Sequence, residues 1–228
     1  MRRYEDTFLG LVMLLVISLL ASQGLEAVTV SGQPKQTKAV VVLDPGHGGV
    51  DPGKVGVNNV LEKDLNLAIA EKVRAQLEAA GVTVVMTREE DVGLYEESDR
   101  NKKIADLSAR CQLIEDSGAA LTVSIHQNSY HDSSVRGPQV FYYQASEQGR
   151  QLAETLQGFF DGITEYNRSV KANDNYYLLL HTACPTAIVE CGFLSCPEEA
   201  ELLCQEDYQQ QLAEAIGKGV LAYLEGGA

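Results

Sequence analysis

Apolar positions along this chain follow two alternating rhythms. Short β-branched or aliphatic runs at 39–43, 82–86, 121–125, 139–143 and 186–189 predict strands. Between and after them, 62–80, 102–115, 146–160 and 208–224 repeat their apolar residues at helical spacing. In the first of these, Leu65, Ile69, Val73, Leu77 and Ala80 share one face, and Gly81 follows as a helix-terminating glycine. Pro45-Gly46 stops the first strand, and Gly137-Pro138 precedes the fourth. Such alternation predicts a single α/β domain over 39–226, with a mostly parallel or mixed central sheet and helices on both faces. No internal repeat or low-complexity segment interrupts it.

The chain opens differently. After Arg2 and Arg3, residues 8–21 form an apolar run of 14, shorter than the roughly 20 residues of a bilayer-spanning helix. Its length suits the core of a signal peptide, with Ala27 a candidate cleavage position, although Glu5 and Asp6 dilute the positive start. We read 1–27 as a signal peptide or N-terminal membrane anchor and 28–38 as a polar linker. The expectation is an exported protein, associated with membrane only through that segment.

Charge narrows the partners. Lys and Arg number 18 against 32 Asp and Glu, a formal net charge of −14. Duplex binding draws most of its affinity from phosphate neutralisation by basic groups, so nucleic acid is not the expected partner. Of five cysteines, Cys184, Cys191, Cys196 and Cys204 cluster late in the chain while Cys111 stands apart. No C-x-x-C occurs, which argues against a zinc knuckle. An odd count leaves at least one thiol unpaired, and most are expected as small buried residues.

In open α/β sheets ligands sit beyond the carboxyl ends of the strands. The first strand leads into Asp44-Pro45-Gly46-His47-Gly48-Gly49, the third into Ser124-Ile125-His126-Gln127-Asn128, and the fifth into Val189-Glu190-Cys191-Gly192. Glu62 opens the first helix. Two imidazoles and a carboxylate form a zinc set that leaves a position open for water, and a further carboxylate would supply a general base. By spacing alone, His47, Glu62 and His126 are equally compatible with packing or solvated roles. Of the remaining histidines, His131 reads as a loop residue and His181 as a packing or loop residue. Asp44 reads as a brace for the glycine turn, with a hydrogen bond to a metal-ligating histidine as the alternative. Residues 48–55 approach a phosphate-binding loop, but Val55 lacks the required hydroxyl and Pro52 removes a backbone donor.

Taken in order, LDPGHGGVDPG (43–53), the helix start at Glu62, Thr87-Arg88, SIHQN (124–128) and VECGFLS (189–195) resemble the zinc-dependent N-acetylmuramoyl-L-alanine amidases. The likeness runs from about 39 to 225. RNKKIADLSAR (100–110), GPQVFYY (137–143) and ECGFLSCPEEAELL (190–203) make it closest to the spore-cortex, germination-specific branch. The resemblance implies His47, Glu62 and His126 as zinc ligands and Glu190 as the catalytic carboxylate. It further implies cleavage of the amide joining muramic acid to L-alanine in peptidoglycan, as a step towards muramic-δ-lactam. A downstream muramic acid deacetylase, an activating protein partner and a location between the forespore membranes follow from the same likeness. Two departures are visible: Cys196 stands where the family usually has Asn, and Gln127 separates His126 from Asn128. The competing readings are a zinc peptidase cutting within the stem peptide and a non-catalytic peptidoglycan-binding protein on the same fold.

Overall fold

The structure is a computed structural model that describes residues 39–166 and 168–226. The signal or anchor segment at 1–27 and the linker at 28–38 lie outside the described residues.

Alternation within each strand sorts the chain into two cores. In β1 (Val40–Pro45), Val41 and Leu43 join the larger apolar cluster while Val42 joins a smaller one on the opposite face. In β3 (Leu121–Asn128), Leu121, Val123 and Ile125 point to the larger cluster, so Thr122, Ser124 and His126 face the other way. The sheet is completed by β2 (Thr83–Met86), β4 (Gln139–Tyr143), β5 (Lys171–Asn173) and β6 (Thr186–Phe193), in the order β2-β1-β3-β6-β4-β5. The first four run parallel; β4 is antiparallel to β6 and parallel to β5. The sheet is thus mixed.

Helices α1 (Glu62–Ala79), α3 (Glu147–Gly158), α5 (Pro197–Leu203) and α6 (Glu206–Gly226) supply the larger cluster, with Ile69, Leu77, Leu152, Leu156, Leu203, Leu212 and Ile216 all removed from water. Each such side chain contributes about 1.5–3 kcal/mol of burial free energy. The other face carries α2 (Lys102–Asp116) and α4 (Tyr177–His181), through Cys111, Ile114 and Leu178. Side-chain oxygens of Asn101 and Ser146 cap α2 and α3. No side chain caps α1. Its first N–H groups instead donate to the carbonyls of Lys54 and Pro52, which pins the preceding loop to the helix.

Three elements escape the sequence pattern: β5 with three residues, α4 with five and α5 with seven. Each is too short to show a period. The other difference matters more. β3 and β6 continue past the expected ends at 125 and 189, so His126 and Glu190 lie inside strands and are direct register partners. The cysteines are all free: Cys111, Cys191 and Cys196 are buried, Cys184 is half-buried and Cys204 exposed.

Candidate metal and catalytic site

Three elements deliver donor atoms to one point. His126 projects from β3 on the face away from the larger core, Glu62 from the first turn of α1, and His47 from the loop after β1. One ligand atom from each lies within 4.8 Å of the others. Glu62 Oε1 is 2.9 Å from His126 Nδ1 and 3.2 Å from His47 Nε2. The same oxygen accepts the Gln127 N–H, and Oε2 accepts the Lys54 N–H at 2.7 Å. Burial alone would raise the Glu62 carboxyl, but hydrogen bonds from His126 and His47 hold it far below the usual carboxylate range. For His47, burial opposes the charge, yet Glu62 and Asp51 raise its pKa.

Glu190 stands beside this cluster and lines the same cavity of about 610 Å³. Its Oε2 is buried and has no hydrogen-bond partner. Burial pushes its carboxyl up to about 7, with His126 pulling the other way. An unpartnered buried carboxylate oxygen is costly to keep in a fold, and this one belongs to a residue that lines the cavity.

The loop holding His47 is fixed by two buried guanidinium groups. Arg88 donates to the carbonyls of Pro45, Gly46 and Lys63, and Arg110 to those of Pro45 and His47. His47 itself sits at φ 63°, a left-handed conformation uncommon outside glycine, and these bonds over-determine it. Arg110 also pairs with Asp44, whose other donors are Thr87 and Ser124. Asp44 is therefore a brace. The hydrogen bond to a histidine comes from Asp51 instead, whose Oδ2 is 2.9 Å from His47 Nδ1.

Glycines permit the close approach of loop and rings. A Cβ at Gly53, which has φ +66°, would lie 2.5 Å from Glu62 Oε2; one at Gly46 would lie 2.1 Å from His126 Cε1. Gly46→Ala must therefore displace the imidazole or the loop. We expect metal affinity to fall at least about 10–100-fold, the loss typical of disturbed ligand orientation. Equilibrium metal titration with circular dichroism as a fold control checks this; native affinity in a folded Gly46→Ala protein would contradict it.

All four sequence-derived residues, His47, Glu62, His126 and Glu190, converge on this cavity. The other two histidines do not line it: His131 lies against Tyr130, and His181 stacks on Tyr177. The phosphate-loop likeness fails too, because the helix such a loop requires begins only at Glu62, well after Lys54.

Comparison with known proteins gives one consistent result. Residues 41–222 match the family described as N-acetylmuramoyl-L-alanine amidase. The germination-specific N-acetylmuramoyl-L-alanine amidase of Bacillus subtilis is 39% identical over 188 residues, 81% of this chain and 79% of its own. The CwlD amidase of Clostridioides difficile, solved in complex with the GerS lipoprotein, aligns with a TM-score of 0.80 at 37% identity, over 83% of this chain and 100% of that one. The catalytic domain of CwlV from Bacillus (Paenibacillus) polymyxa aligns with a TM-score of 0.73 at 31% identity, over 82% of this chain and 98% of its own.

Proposed function

Because the chain belongs to the N-acetylmuramoyl-L-alanine amidase family, we propose that it hydrolyses the amide between muramic acid and L-alanine with zinc held by His47, Glu62 and His126 and with Glu190 as the proton-transferring carboxylate. The observation that carries this reading is the convergence of three donor atoms beside the partnerless Glu190 Oε2.

The donor set fits zinc: two imidazoles and one carboxylate, with a cavity on the open side. Zinc bound there supplies Lewis acidity to an amide carbonyl and makes water a stronger acid. The protein's own part is orientation and proton movement. Asp51 fixes the His47 ring, while the Lys54 and Gln127 amides fix Glu62. Glu190 accepts a proton from the attacking water and returns it to the departing alanine nitrogen, the double duty of a general acid–base.

The biological setting rests on the germination-specific relative. We propose a cortex substrate and an extracytoplasmic location, with the bared muramic acid passing to a separate deacetylase that forms muramic-δ-lactam. A protein partner is proposed by analogy with the CwlD–GerS complex. Among the described residues no helix is long and apolar enough to cross a membrane; membrane association is proposed through 1–27 alone.

The test is product analysis with the full chain on purified peptidoglycan. Intact stem peptides beginning with L-alanine should appear by mass spectrometry, vanish on chelation and return with added zinc. Shortened stems would instead establish the peptidase reading, and metal-independent release would remove zinc from the mechanism.

A further inference from the structure

The catalytic cavity also carries two cations that its chemistry does not use. Lys63, Lys72, Lys102 and Lys218 each pair with a carboxylate, and Lys171 lies over the Phe141 ring. Lys54 and Lys103, both exposed, stand at the cavity, and neither ammonium group has an ion-pair or hydrogen-bond partner among the described residues.

Their placement is anchored by the backbone. Lys54 exchanges two bonds with Glu62: its N–H donates to Oε2, and its carbonyl accepts the Glu62 N–H. Lys103 shares one stripe of α2 with Leu107 and Arg110, spaced four and three residues apart. Leu107 lines the cavity, and Arg110 holds the His47 carbonyl at 2.6 Å. Lys103 is thus one turn further out on a helix face that already points at the site. Its neighbour Lys102 pairs instead with Glu97, outside the cavity lining. The nearby acid, Asp51, bonds His47 Nδ1 through one oxygen and the Gly53 N–H through the other; it attracts Lys103 across the cavity without forming an ion pair.

On a body of net charge −14, an anionic ligand is repelled at long range, and unpaired cations at a cavity create a local attraction. We propose that Lys54 and Lys103 form a carboxylate subsite that selects an anionic leaving peptide. The stem peptide carries such a group close to the scissile amide: its second residue, a glutamate linked through its side-chain carboxyl, keeps its α-carboxylate. This inference rests on the amidase reading and names the part of the substrate that the site discriminates.

The test compares two muropeptides that differ only in that α-carboxylate, free in one and amidated in the other. The metal-loaded native protein should favour the free acid by about tenfold in kcat/KM, the scale of two partly exposed ion pairs. The preference should shrink as salt is raised. The Lys54→Gln/Lys103→Gln protein should bring the ratio to about one, Lys54→Arg/Lys103→Arg should restore it, and Lys102→Gln should leave it intact. The same ratio is read without turnover from equilibrium binding of both compounds to a Glu190→Gln protein. A native ratio near one, or a preference that survives removal of both lysines, overturns the subsite. Failure to cleave either compound counts against the amidase reading, and the binding ratio then decides the subsite.

Discussion

Glu190→Gln should lower kcat on peptidoglycan by about a thousandfold, within the 10²–10⁴ range expected when one positioned acid–base group is removed. The substitution keeps the shape of the side chain and its place in β6 but removes its basicity. Zinc content should not change, because Glu190 is not among the converging donor atoms. Stability gives an independent readout. Burial raises the Glu190 carboxyl from its ordinary value near 4.5 to about 7 in the metal-free protein. A carboxyl raised on folding binds its proton more tightly in the native state, so ionising it lowers stability as pH rises from about 4.5 to 7, and the deficit persists above. The neutral amide lacks that deficit. The metal-free variant should therefore melt no lower than the native protein at pH 8. Full activity in Glu190→Gln would falsify the assignment; a large fall in metal content would turn it from a proton-transfer residue into a determinant of the metal site.

Why those four residues could be named from sequence, while their supports could not, has a physical reason. Strand periodicity placed His47, His126 and Glu190 at or near carboxyl ends of strands, where an α/β sheet binds ligands. Residue type then suggested metal chemistry, and the ordered motifs supplied the family. The pairing of His126 with Glu190 was not legible, because both strands run on through polar residues that the alternation read as endings. Register, not hydrophobicity, carries them there. The left-handed backbone at His47 was invisible for a related reason: it depends on Arg88 and Arg110, far along the chain, saturating the carbonyls of 45–47. Asp51 rather than Asp44 reaching His47 likewise follows from the turn's path, which spacing does not define. Lys54 stood out only within the phosphate-loop likeness that the fold rejects, and Lys103 carried no signal, since a lysine on a helix reads as solvated until its neighbours are placed.

Arg110→Leu should destabilise the fold by about 3–5 kcal/mol, the cost of leaving one partner of a buried pair uncompensated. Arg110 and Asp44 are both about 1% exposed and meet at 2.7 Å. Without the guanidinium, the Asp44 carboxylate keeps only the Thr87 and Ser124 hydroxyls, and the carbonyls of Pro45 and His47 lose a donor. The pH dependence follows with definite sign. Burial opposes the charge on Asp44, but Arg110 and the two hydroxyls lower its carboxyl from near 3.8 to about 2. A depressed carboxyl stabilises the fold above its unfolded value and loses that contribution as pH falls through its folded one. Native stability should drop between pH 4 and 2; in Arg110→Leu the folded Asp44 carboxyl rises, so this acid loss should shrink or reverse. Removing the stranded charge as well, in Asp44→Asn/Arg110→Leu, should recover part of the deficit, the remainder including the lost Arg110–Asp106 pair. Denaturant unfolding of the native, single and double variants closes this cycle. If the two single losses simply added, the pair would be two independent anchors, and the His47 turn would owe its conformation to the carbonyl bonds alone.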